Sequence, residues 1–323
     1  MIPYRQLAGW AVFGGVMCLL PLVLPPGILR MVIFANFLAI FALSWDFISG
    51  RTGYVSFGHP FLIAIGAYST AILSFRFDWP LIISIPSAVL ITVISGLFFF
   101  VPALRIRGTY FALVTLAFME LAYQLTQVLR PDITGGTRGI SGITSIVSGA
   151  VPNFYLSFSI LFVAALLLWF LARTRMGTAL AAVRMDEGAV TASGLSTIRL
   201  KLFAFGVSAL VAGIGGAFYV HYLGSIAPRA MFDINFLFQI LVAALIGGST
   251  TIAGPIIGAF FLTFLLEYLR PFIDGPERFL IFGSVALIVY VLKPNGIYSI
   301  LESGYGLALA RFRRFRPEGG PAK

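Results

Sequence analysis

Long apolar runs, repeated along most of the chain, constrain its fold more than any other feature. A helix crosses the hydrocarbon of a bilayer with ~20 mostly apolar residues, and ~17–25 are tolerated. Ten stretches meet or approach that length: 8–24, 29–48, 57–75, 81–101, 109–128, 155–172, 202–222, 236–248, 252–269 and 279–292. The segment 236–248 would reach only ~20 Å at ~1.5 Å per residue. The chain is therefore expected to be all-α, a polytopic integral membrane helical bundle. About ten spans are expected, or eight with a re-entrant pair, in a single domain over 1–323.

Composition closes the other routes. Only 11% of the 323 residues are charged and 59% are apolar, with a mean hydropathy of +0.98. Soluble domains carry ~25% charged residues. A soluble enzyme, a disordered chain, a collagen-like fibre and a nucleic-acid binder are excluded. The single cysteine, Cys18, cannot form an internal disulfide.

The net charge of +10 is better read as topology than as a partner signal. With the N-terminus inside and ten spans, 15 of the 22 Lys and Arg fall on the inner side. The tail 305–323, with Arg311, Arg313, Arg314 and Arg316, is the strongest inner anchor. Both termini are thus expected inside. The first run ends at Leu24-Pro25-Pro26 without a small-residue cleavage site, so it reads as a retained anchor.

Two loops exceed a turn. The outer loop, 129–154, is rich in Gly, Ser and Thr. The inner loop, 173–201, is polar and contains Arg184, Asp186 and Glu187. Within it, 176–193 reads as one short helix stopped at Gly194. Such a helix is either a docking surface for a cytosolic partner or an interfacial anchor for the flanking spans.

Few segments could carry chemistry. Gly, Ser, His and Pro crowd the start of the third span, from Gly50 through Ser56, Gly58, His59 and Pro60 to Tyr68. Unwound backbone at membrane depth survives where it is buried in protein or lines a wet cavity. Ser56, Gly58 and His59 are therefore candidates for a translocation path; the alternative is a tight helix entry with His59 hydrogen-bonded. A second break, Gly247-Gly248-Ser249-Thr250-Thr251 to Gly258, lies in the other half, and paired breaks are common in transporters. It also reads as a close turn between spans. Glu120 sits within a span, where a charge costs at least ~2.5–3.5 kcal/mol, so it should face a cavity or a partner. Asp46 sits near the inner end of its span and should reach the headgroups. The small residues between Gly206 and Ala217 allow close helix approach.

Enzyme readings fare poorly. Gly139-Ile140-Ser141-Gly142 matches the short pattern of intramembrane serine proteases but falls in the outer loop, and the two histidines, His59 and His221, offer no obvious base. Neither a phosphate-cradling loop nor a zinc motif occurs. No cofactor, nucleotide or metal is expected.

Four stretches together resemble one family. They are Ser44-Trp45-Asp46 with Gly50, Gly53, Ser56-Phe57-Gly58-His59 and Gly66-Ala67-Tyr68; Leu104 to Ala112 leading to Glu120; Thr134 to Ile140; and Gly177, Ala179-Leu180, Arg184, Asp186-Glu187, Ala189, Gly194 and Lys201. In this order they are similar to the permease subunits of branched-chain amino-acid ABC transporters, the LivM-like member in particular. The resemblance implies an importer in the bacterial inner membrane. It implies a second homologous permease subunit, two cytosolic ABC ATPase subunits and a periplasmic binding protein that delivers substrate. The permease itself would catalyse no reaction. The inner loop, 173–201, would be the coupling element, with a helix at 180–195 and Arg184, Asp186, Glu187 and Gly194 taking part in coupling to the ATPase. Gly188 and Val190 depart from the family pattern, and a glycine weakens a helix by roughly 1 kcal/mol relative to Ala. The rival function is a self-sufficient, proton-coupled secondary transporter using Glu120 or His59.

Overall fold

The computed structural model describes residues 4–103, 106, 108–272, 283–284, 287–288, 291 and 296–299. Its elements run α1 (Tyr4–Val23), α2 (Pro26–Thr52), α3 (His59–Phe75), α4 (Leu81–Ala103), α5 (Thr109–Val128), α6 (Pro131–Thr134), β1 (Ile140–Ser141), α7 (Ala150–Arg173), α8 (Arg175–Met185), α9 (Glu187–Ala192), α10 (Thr197–Leu223), β2 (Ser225–Ile226), α11 (Pro228–Met231), α12 (Ile234–Gly247) and α13 (Ala253–Leu269). This is a polytopic helical membrane protein. Among the described residues six segments are long and apolar enough to cross a bilayer: α2, α4, α5, α7, α10 and the run through α11 and α12. Shorter apolar helices cover Gly9–Val23, His59–Phe75 and Ala253–Leu269. Nine of the ten expected runs thus coincide with a helix. The tenth, 279–292, lies outside the described residues apart from 283–284, 287–288 and 291, and the tail 305–323 lies wholly outside them.

Helix α2 is the central post. Pro25 and Pro26 open it, as suits residues without a backbone donor to lose. Gly53 closes it at φ 77°, donating its N–H to the Ser49 carbonyl. Nearly all of its side chains between Leu29 and Thr52 are buried, because α7, α10, α12 and α13 surround it. A helix apolar all round has nowhere else to go. The neighbouring α3 packs on α10, where glycines permit backbone contact: a Cβ on Gly66 would lie 2.6 Å from the Gly213 carbonyl oxygen. The small-residue stretch of α10 is therefore a packing surface inside the chain. The N-terminal α1 lies against α7, with Trp10 edge-on to Phe162 and Phe13 to Phe158.

Several helices keep an uncovered apolar side. In α4, Ile82, Leu90, Ile94 and Phe98 point outward, as do Tyr110, Leu113, Leu121 and Val128 in α5. These apolar faces belong to lipid or another subunit.

The loop 129–149 is more ordered than its composition suggests. Thr134 Oγ1 donates to the Thr126 carbonyl at 2.8 Å. Strands β1 and β2 pair antiparallel, Ile140 opposite Ile226. His221 Nδ1 lies 2.7 Å from the Thr144 carbonyl, which can only accept, so Nε2 takes a hydrogen bond from Thr70 Oγ1 at 3.1 Å. Ser141 is exposed on this ladder.

Candidate functional site

The opposite end of the bundle gathers the residues with chemistry. Segment 53–58 leaves α2 and enters α3 under tight control. Trp45 Nε1 donates to the Ser56 carbonyl at 2.8 Å, the Ser56 N–H to Ser49 Oγ at 3.1 Å, and the Phe57 N–H to Thr115 Oγ1 at 2.9 Å. Ser44 Oγ donates to the Ser208 carbonyl at 2.8 Å. Its single proton is thereby used, so at 2.9 Å it accepts from His59 Nε2–H. His59 is fully buried and Ser56 is 1% exposed. A Cβ on Gly58 would meet the Phe100 ring and the Thr115 carbonyl, both at 2.7 Å. The structure therefore places Ser56, Gly58 and His59 in the packed interior, knitting α2, α5 and α10. Of the two readings open to these residues, a path and a tight, hydrogen-bonded helix entry, the second describes their packing here.

Glu120 is elsewhere. It stands on the exposed face of α5 and accepts from Gln124 Nε2 at 2.8 Å, one turn along the same helix. The structure does not bring it together with His59; any path it lines runs along the outside of this chain.

Segment 173–201 departs from the single helix expected at 176–193. Thr174 caps α8, its hydroxyl accepting from the Gly177 N–H. The chain breaks at Asp186, where φ is −155°, and restarts as α9. Asp186 Oδ1 accepts from the N–H groups of Gly188 and Ala189 at 2.8 and 3.1 Å. An Asp offered free helix N–H groups prefers this N-cap role to a mid-helix position. Gly188 thus sits in a first turn and does not thin a helix middle. Gly194 follows α9 at φ 85°, as a helix stop requires. Leu180, Val183 and Val190 are buried, while Met185, Leu195 and Ile198 are exposed, Met185 at 88%.

Arg184 donates to the Gly50 carbonyl, one of the last acceptors of α2. Glu187 turns inward. Its Oε1 accepts from Lys201 Nζ at 2.6 Å and its Oε2 from the Tyr54 hydroxyl at 2.6 Å. Lys201 Nζ also donates to the Tyr54 oxygen at 2.7 Å and lies 3.9 Å from the ring centroid. Lys201 is 2% exposed and Glu187 16%. Burial pushes the Glu187 carboxyl up, but hydrogen bonds from Lys201 and Tyr54 and the Lys201 charge outweigh it, holding the group below its ordinary value.

The second glycine break docks on the same end. Both oxygens of Asp46 accept from the Thr250 N–H at 3.0 Å, and Arg51 donates to the Thr250 carbonyl at 3.2 Å. Thr250 adopts φ 76°, unusual for a branched residue. Asp46 is 2% exposed; contrary to expectation it does not reach outward but fixes the turn between α12 and α13. That turn reads as a close connection between helices, with Gly247, Gly254 and Gly258 letting their backbones touch.

Sequence reasoning passed over Tyr54, Lys201 and Thr250 as site residues. Lys201, a basic residue at the polar start of an apolar run, was the available signal. Tyr54 and Thr250 lie within the two glycine-rich breaks and carry no further motif of their own.

The model of the family described as "Branched-chain amino acid transport system / permease component" matches residues 27–292. The high-affinity branched-chain amino acid transport system permease protein LivM of Salmonella typhimurium is 29% identical over 287 residues, covering 80% of this chain and 67% of that protein. A probable branched-chain amino acid transport permease protein LivM of Methanocaldococcus jannaschii is 27% identical, covering 80% and 77%. The ribose import permease protein RbsC of Haemophilus influenzae is 26% identical, covering 72% and 74%.

Proposed function

The chain belongs to the family of permease components of branched-chain amino acid transport systems, and from that membership we propose its substrate, topology and partners. It is a permease component of a binding-protein-dependent ABC importer. The substrate is a branched-chain or related small amino acid, as the names of the LivM relatives support. The chain forms half of the translocation pathway in the bacterial inner membrane, with both termini cytoplasmic. A second homologous permease supplies the other half, and two cytosolic ATPases hydrolyse ATP. A periplasmic binding protein delivers substrate to the end bearing loop 129–149. No reaction is catalysed by this chain.

One observation carries the reading: α8 and α9 stand outside the apolar helices, tied inward by Arg184 and Glu187, with Met185, Leu195 and Ile198 left uncovered. An element so anchored and so exposed suits a partner that pushes on it. Arg184, Asp186, Glu187 and Gly194 shape this element. Ser56, Gly58 and His59 form the wall behind the path. Glu120, whose charge costs at least ~2.5–3.5 kcal/mol in lipid, faces the path or the second subunit along α5.

Met185→Asp tests the docking surface. The variant is expected to keep the melting temperature of the wild type and to lose co-purification of the cognate ATPases. ATPase binding at the wild-type level would contradict the assignment.

A further inference from the structure

Glu187, which the family resemblance assigns to coupling, is turned into the chain. Its two oxygens are held at 2.6 Å by Lys201 and by Tyr54. Tyr54 belongs to neither coupling helix. It lies in the segment between α2 and α3, and its ring stands edge-on to Phe111 in the first turn of α5, centroids 5.3 Å apart. Three residues on, the Phe57 N–H is fixed to Thr115 Oγ1 of the same helix. A continuous set of contacts therefore runs from α9 through Tyr54 to α5, with Lys201 of α10 as its base.

We propose that Tyr54 and Lys201 are positioning residues for transport: they clasp Glu187 so that displacement of α8 and α9 moves α5. The inference rests on the reading of 173–201 as the ATPase-coupling element. Three features favour it over a plain stabilising ion pair. A buried ion pair adds little net stability, because desolvation offsets its attraction. Charge-assisted bonds of this length hold a narrow geometry and pass on displacement. Finally, the clasp joins α9 to α5, the helix that carries Glu120 and presents an uncovered face. The Tyr54 hydroxyl is the hinge pin, donating to Glu187 and accepting from Lys201.

The test uses the complete complex in proteoliposomes: this chain, its cognate partner permease, both ATPases and the binding protein. Tyr54→Phe keeps the ring against Phe111 and removes only the hydroxyl. The expected result is unchanged assembly and ATP hydrolysis, with a melting temperature lowered by no more than in Glu187→Gln. Substrate moved per ATP should fall about tenfold, the factor that one charge-assisted hydrogen bond corresponds to. Glu187→Gln should act in the same direction, and the exchange Glu187→Lys with Lys201→Glu should recover part of the coupling. Wild-type uptake per ATP in Tyr54→Phe overturns the proposal, as does a loss that only tracks melting temperature or assembly. Failure of the ATPases to assemble on the wild-type chain overturns the underlying reading, and the inference with it; that result appears before any variant is made.

Discussion

At Asp46 a single carboxylate closes a loop across most of the chain. Its partner, the Thr250 N–H, lies 204 residues away. A buried acceptor lost from such a pair leaves the donor unsatisfied, at a cost of about 1–3 kcal/mol. Asp46→Ala should therefore lower the melting temperature in detergent more than Asp46→Asn, which keeps an acceptor. Equal melting temperatures would deny the contact. Glu187 makes a prediction in pH. Its carboxyl is held below the ordinary 4.5, so the clasp stabilises the folded chain fully above that value. The contribution is lost as pH falls through the depressed one. The melting-temperature gap between wild type and Glu187→Gln should thus be constant above about pH 5 and close on acidification. Asp46 could not be read correctly from sequence. An acidic residue near a span end looks the same whether it reaches headgroups or a distant backbone amide, and only the fold decides.

Elements were more legible than their joints. Apolar length located α2, α4, α5, α7 and α10, because span length is set by the bilayer and not by neighbours. The break between α8 and α9 was missed because helix periodicity does not register a competing cap. The cap is testable: Asp186→Ala should cost about 1 kcal/mol and speed hydrogen exchange at the Gly188 and Ala189 amides. Exchange unchanged there would mean α9 does not depend on Asp186. The packing of α10 is testable too. A Cβ on Gly213 would lie 2.9 Å from Thr92 Cβ of α4. Gly213→Val should destabilise by about 1–3 kcal/mol through overpacking, read as a lower melting temperature.

For the whole molecule, the contacts mark two ends. One holds the 140–144 and 224–226 pairing. The other holds the Asp46, Arg184 and Glu187 anchors. The path was the least legible feature. Glycine and histidine at a helix entry signal either a wet break or dense packing, and Gly58 and His59 proved to be dense packing. The single chain leaves the outward faces of α4 and α5 among its uncovered apolar surfaces. The most direct measurement is uptake of a branched-chain amino acid into proteoliposomes. The account predicts uptake that requires ATP, both ATPases and the binding protein, and none from this chain alone. Uptake by the chain alone, driven by a proton gradient without ATPases, would contradict it.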